Sequence, residues 1–124
     1  MGNSYDMTGP TANATRFLTE GVRIYFEYIN SEGGINGRKL KVVFEDDRYS
    51  VPAALAVFKK LVYRDGIFAI IGPQATGGVT SLFRYIAKEK TPLFTGAASE
   101  IIYIPPERYV FGHGVSSRDE VGMI

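Results

Sequence analysis

Apolar residues recur along this chain with two periods, and the two alternate. Leu18, Gly21, Val22, Tyr25, Tyr28 and Ile29 fall at three- and four-residue steps, which lines one face of a helix after the breaker Thr8-Gly9-Pro10. Gly33-Gly34 ends that helix, because glycine takes the left-handed conformation of a C-terminal cap without steric cost, and a turn through Ile35-Asn36-Gly37 follows. A strand is predicted from Lys39 to Glu45, its first half alternating as Lys39, Leu40, Lys41, Val42. Pro52 suits the first turn of a second helix with Ala54, Val57, Phe58 and Leu61 as its stripe. Ile67 to Ile71 is apolar at every position, as expected of a central parallel strand covered on both faces. Gly72-Pro73 ends it. Val79, Leu82, Phe83, Ile86 and Ala87 mark a third helix, and short strands are predicted at Pro92 to Thr95 and Tyr109 to Phe111.

This order describes an α/β domain: a doubly wound, mostly parallel sheet with helices on both faces, joined by right-handed crossovers. Both ends depart from the pattern. Only Met1 to Tyr5 precede the first breaker, so the first strand is expected to be largely missing. Ser117 and Glu120 have the spacing of a capping box, with Ser117 as N-cap of a helix, and the sequence stops four residues after Glu120. The expectation is a fragment of a larger fold. Without its opening strand the sheet would expose an edge, so the lobe is expected to self-associate by strand exchange or to be marginally stable.

Composition narrows the function classes. The 124 residues are 45% hydrophobic, enough for one domain with a core, and 14 basic against 13 acidic residues give a net charge of +1. Nucleic acid and anionic membranes are therefore disfavoured as partners. The absence of cysteine removes disulfides, thiolate metal sites and thiol nucleophiles. Met1-Gly2-Asn3-Ser4 is not the start of a signal sequence, and no apolar stretch reaches the length of a membrane span.

Several segments carry a resemblance. "DMTGPTA", "INSEGGINGRKL", "EDDRYSVPAA", "FAIIGPQATG" and "PLFTGAASE", in this order, resemble the amino-terminal lobe of the type I periplasmic solute-binding proteins, the branched-chain amino-acid (Leu/Ile/Val) receptor family of ABC transporters. The resemblance covers nearly the whole chain, so residues 1–124 are read as part of one lobe of a two-lobe protein. It implies a non-enzymatic receptor with no catalytic residues, cofactor or metal, working outside the cytoplasm. Its partners would be a small-molecule solute and the membrane permease of an ABC transporter. A ligand-sensing domain of a regulatory protein with the same fold is the alternative.

Two sets of residues carry candidate chemistry. Asp46 and Asp47 close the second strand, where a carboxylate pair could hold Mg²⁺ or accept a phosphoryl group. A receiver domain would also need an aspartate after the third strand and a lysine after the fifth, where this chain has Gly72-Pro73 and Gly112-His113-Gly114. Loop and helix-start hydrogen bonding is thus the favoured role of the pair. Gly72 to Gly78 opens a helix but lacks the lysine of a phosphate loop. It offers the Thr76 hydroxyl and free N–H groups, while the loop Gly96 to Ser99 offers small residues and a second hydroxyl. The resemblance implies that these two loops hold a ligand's carboxylate and amino groups through Thr76, Ala97 and Ser99. Ala14 departs from the aromatic that some amino-acid receptors pack over the ligand, which leaves the ligand class open. Tyr5, Tyr103 and the lone His113 are further cleft candidates, each also explicable as a half-buried or solvated residue at the end of an element.

Overall fold

Five parallel strands form the frame of the computed structural model, which describes residues 1–122. They are β1 (Gly2–Tyr5), β2 (Val43–Asp46), β3 (Ile70–Ile71), β4 (Leu93–Thr95) and β5 (Val110–Gly112), laid side by side in the order β2-β1-β3-β4-β5. Helices α1 (Ala12–Ser31), α2 (Val51–Lys59) and α3 (Thr76–Glu89) make the crossovers, and α4 (Ser117–Gly122) follows β5. The α/β architecture is the one the alternating pattern predicts.

The first strand corrects an expectation. Gly2–Tyr5 pairs along its length with Val43–Asp46, and Gly2 and Asn3 pair on the other side with Ile70 and Ile71. β1 is therefore an interior strand, and the sheet edges are β2 and β5. It escaped the sequence reading because Gly-Asn-Ser-Tyr has no apolar run. Its small residues suit the interior: a Cβ on Gly2 would lie 2.8 Å from Leu61 Cδ1. The argument for strand exchange at a missing strand loses its premise.

Register sorts the sheet into two faces. Val43, Gly2, Ile70, Leu93 and Val110 share one row, which α2 and α3 cover. The core lies there, built on Val57, Phe58, Leu61, Val79, Leu82, Ile86 and Ile102. Each large side chain buried in it contributes about 1.5–3 kcal/mol. The opposite row is Phe44, Asn3, Ile71, Phe94 and Phe111, facing the α1 side. Asn3 is fully buried in that row, and neither its Nδ2 nor its Oδ1 has a hydrogen-bond partner among the described residues. Phe94 and Phe111 stack at 5.3 Å between ring centroids and stay substantially exposed.

Three element ends differ from the sequence pattern for local reasons. A π-helical turn, Lys60–Arg64, follows α2, and β3 shortens to two residues after it. Lys60 in that turn bridges Glu45 and Asp65. Lys39 to Val42 stays outside the ladder, because the Asn30 side chain grips Leu40 through both backbone groups, at 2.8 and 2.7 Å. At α4 the cap is Ser116 rather than Ser117: Ser116 Oγ accepts from Asp119 N–H and donates to the Asp119 carboxylate. The cap lies one residue earlier than predicted, and Asp119 accepts from the Ser116 hydroxyl rather than from the backbone N–H that would close a capping box.

Helix α1 departs most. The side that packs inward carries Thr15 and Phe26, with Thr19, Val22 and Ile29 half-buried, whereas Leu18, Tyr25 and Tyr28 of the predicted stripe are exposed. Two apolar stripes run along this helix. The predicted stripe straddles the two, with Val22 and Ile29 inward and Leu18, Tyr25 and Tyr28 outward, because the inner face is interrupted by threonines.

Candidate functional site

All five strands run the same way, so the loops after them gather at one edge of the sheet. This is where open α/β sheets bind ligands. The β1 and β2 loops are fastened by aspartates. Asp46 accepts from Met7 N–H at 2.8 Å, Thr8 Oγ1 and Arg48 N–H, and Arg48 Nε lies 3.7 Å away. Asp47 accepts from Ser4 Oγ at 2.8 Å and Tyr49 N–H at 3.0 Å. Asp6 accepts from Gly9 N–H and from both Thr11 N–H and Thr11 Oγ1.

These donors decide the carboxylates' state. Burial pushes Asp6 and Asp46 upward, but the Thr11 and Gly9 donors on one and the Thr8, Met7 and Arg48 donors on the other prevail, leaving both below the usual aspartate value. Asp47 is raised, first by burial and further by the charges of Asp6 and Asp46, against the hydrogen bonds from Ser4 and Tyr49. Every carboxylate here is occupied by local donors. No group of three or more metal-ligating side chains occurs among the described residues. The pair that closes β2 is a fastening between loops.

The β3 and β4 loops differ. Gly72 has φ +116°, and a Cβ there would sit 2.8 Å from Ser4 O and 2.9 Å from the Tyr5 ring, so the turn into α3 requires glycine. α3 begins at Thr76, and its first backbone bond of this turn runs from Val79 N–H to Ala75 O at 2.9 Å. The N–H groups of the preceding residues have no partner within the helix, which gives this end a partial positive charge. Thr76 is half-buried, and its hydroxyl makes no hydrogen bond among the described residues. Ser99, also half-buried, precedes a short 3₁₀ turn, Glu100–Ile102, without capping it through its side chain.

Ala97, the third predicted residue, is buried, and its N–H is already engaged by Thr95 Oγ1 at 3.0 Å. Its carbonyl accepts from Tyr103 Oη. The residue that joins the two loops is Thr95, which the sequence reading passed over: fully buried, it donates to Pro73 O and accepts from Ala97 N–H. A hydroxyl ending an otherwise apolar strand was the available signal. Gly96 lies against the His113 ring, with Cε1 at 3.0 Å and Nε2 at 3.1 Å from the site of its absent Cβ, and Gln74 Nε2 lies at 3.5 Å. The structure thus gathers Gln74, Gly96 and His113 around one point of the rim. Tyr5 is core, Tyr103 packs on Gly112 beneath the loop, and Ala14 is exposed.

Comparison with known proteins identifies the family and the fold. The sequence profile of the periplasmic binding protein family matches residues 1–122. An amino acid binding protein of Pseudomonas aeruginosa is 38% identical over 65 residues, 52% of this chain and 17% of that protein. A branched-chain amino acid transporter substrate-binding protein from Streptococcus pneumoniae, solved with isoleucine, superposes with a TM-score of 0.84 at 23% identity, covering 93% of this chain and 33% of its own. A solute-binding protein of an ABC transporter from Rhodopseudomonas palustris, solved with 3,4-dihydroxybenzoic acid, superposes with a TM-score of 0.80 at 21% identity, covering 93% of this chain and 31% of its own. The chain therefore spans about a third of the length of those solved structures, whose likeness at such identity speaks for the fold.

Proposed function

The chain belongs to the periplasmic binding protein family, and on that premise we propose that it is one lobe of an extracytoplasmic receptor that delivers a small carboxylate-bearing solute to an ABC permease. The observation that carries this reading is the pair of half-buried hydroxyls, Thr76 at the uncapped start of α3 and Ser99 in the loop after β4, neither with a hydrogen-bond partner among the described residues. Free N–H groups and hydroxyls at a helix start are donors, and a carboxylate is their natural complement. Isoleucine and 3,4-dihydroxybenzoic acid, held by two solved relatives, share a carboxylate and little else, which favours an anchoring role for this rim. The second lone pair of the Ala97 carbonyl is suited to an ammonium group on an amino-acid ligand.

The test is calorimetric titration of the full receptor polypeptide with a panel of amino acids and aromatic acids. A hydrogen bond to a charged group contributes about 1.5–3 kcal/mol, so Ser99→Ala or Thr76→Ala should each weaken binding by roughly ten- to a hundredfold. Folded variants that bind as tightly as the parent would remove both residues from the site.

A further inference from the structure

Two polar side chains of the rim are left over by the carboxylate anchor. β4 lies between β3 and β5 in the sheet, so the loops that carry Gln74, Gly96 and His113 stand side by side. Thr95, at the end of β4, ties both neighbours to it: its hydroxyl donates to Pro73 O, next to Gln74, and its carbonyl accepts from His113 N–H at 3.2 Å. The backbones on either side of Gly96 are therefore held in place.

The Gln74 and His113 side chains meet over Gly96. The position of a Cβ added to Gly96 is 3.1 Å from His113 Nε2 and 3.5 Å from Gln74 Nε2, so a side chain there would crowd both tips. Glycine leaves them room. Thr95 and Tyr103 of the same loop region direct their hydroxyls to the protein's own backbone. The Gln74 amide and the His113 imidazole, one half-buried and the other exposed, have no side-chain hydrogen-bond partner among the described residues.

A ligand that covers these tips takes away their water. An aliphatic group would leave the amide and the imidazole unpaired, which is unfavourable. A hydroxyl suits both: it accepts from the amide and either donates to or accepts from the imidazole, so the fit depends neither on the histidine tautomer nor on the orientation of the amide. We propose that Gln74 and His113 determine specificity by selecting a carboxylic acid that bears a hydroxyl group away from its carboxylate. The inference rests on the anchoring of that carboxylate by Thr76 and Ser99, and it adds the group that decides which acid is taken.

Calorimetric titration of the full receptor polypeptide with paired acids tests it. Each pair shares a carboxylate and differs by one hydroxyl: threonine with valine, tyrosine with phenylalanine, 3-hydroxybutyrate with butyrate, 4-hydroxybenzoate with benzoate. In at least one pair the hydroxylated acid should bind about tenfold or more tightly than its partner. His113→Leu and Gln74→Leu should each reduce that ratio by at least about threefold, by weakening the hydroxylated acid alone, and His113→Gln should recover part of it. Ser99→Ala should instead weaken both members of the pair alike and leave the ratio unchanged. Circular dichroism of each variant checks that it is folded. Equal affinity within every pair, or a preference that survives in the folded Gln74→Leu, His113→Leu double variant, would overturn this inference and leave the carboxylate anchor standing. If no acid of the panel binds, the anchor fails and this inference with it.

Discussion

Replacing Asn3 with leucine should make this lobe more stable. The amide lies in the middle of the sheet, fully buried between Phe44 and Ile71 in the row facing α1, and neither Nδ2 nor Oδ1 finds a partner among the described residues. A buried polar group left unpaired costs about 1–3 kcal/mol relative to one that is satisfied or absent. Leucine keeps the branch at Cγ, removes the two donors and the acceptor, and adds apolar contact. The expected gain is thus about 1–3 kcal/mol. Unfolding entropy of about 2.1 cal/mol/K per residue gives a 124-residue chain roughly 0.26 kcal/mol/K, so the melting temperature should rise by roughly 4–12 °C. Urea unfolding followed by circular dichroism measures the change, and an unaltered slope would show that the midpoint reports stability. Because leucine is the larger side chain, Asn3→Val provides a second measurement with less risk of overpacking. If both variants lose stability, the amide is satisfied in solution and the reasoning fails.

Asp46→Ala should lower stability at neutral pH by removing the acceptor of three hydrogen bonds. Since the folded-state pKa of Asp46 is depressed, the parent's advantage should be complete above about pH 4 and shrink as pH falls through that depressed value, which urea midpoints measured across the acid range would reveal. A difference that does not change with pH would count against the fastening role. Gly72→Ala should destabilise by at least about 1–3 kcal/mol from backbone strain at φ +116°, before the contact with Ser4 O is added. An unchanged urea midpoint would mean that the turn can relax.

The helix–strand alternation was legible because α2, α3 and the β3 region are covered by apolar neighbours, and their sequences follow burial directly. β1 was not legible. A four-residue interior strand of small and polar residues has no hydrophobic period, and its place is set by partners forty and seventy residues away. In α1 the period was read correctly but its stripe was centred toward solvent, with only Val22 and Ile29 on the inward side: Thr15 bonds to Asp6 O and Thr19 to Thr15 O, so inward threonines satisfy their hydroxyls locally and leave no apolar signature. At the site, strand ends followed by glycine identified the two loops. Which backbone groups were already engaged was invisible, because the bond from Ala97 N–H to Thr95 and that from Tyr103 to Ala97 depend on tertiary packing.

Tyr103 ties the loop after β4 to the neighbouring strand β5. Its ring lies where any side chain on Gly112 would have to be, and its hydroxyl holds the Ala97 carbonyl. The height of the Gly96 to Ser99 loop above the sheet is thereby gauged from β5, the outermost strand, as well as from β4 beneath it. β5 and the Gly96 to Ser99 loop are thus coupled through one aromatic ring, so that a displacement of either would be felt by the other.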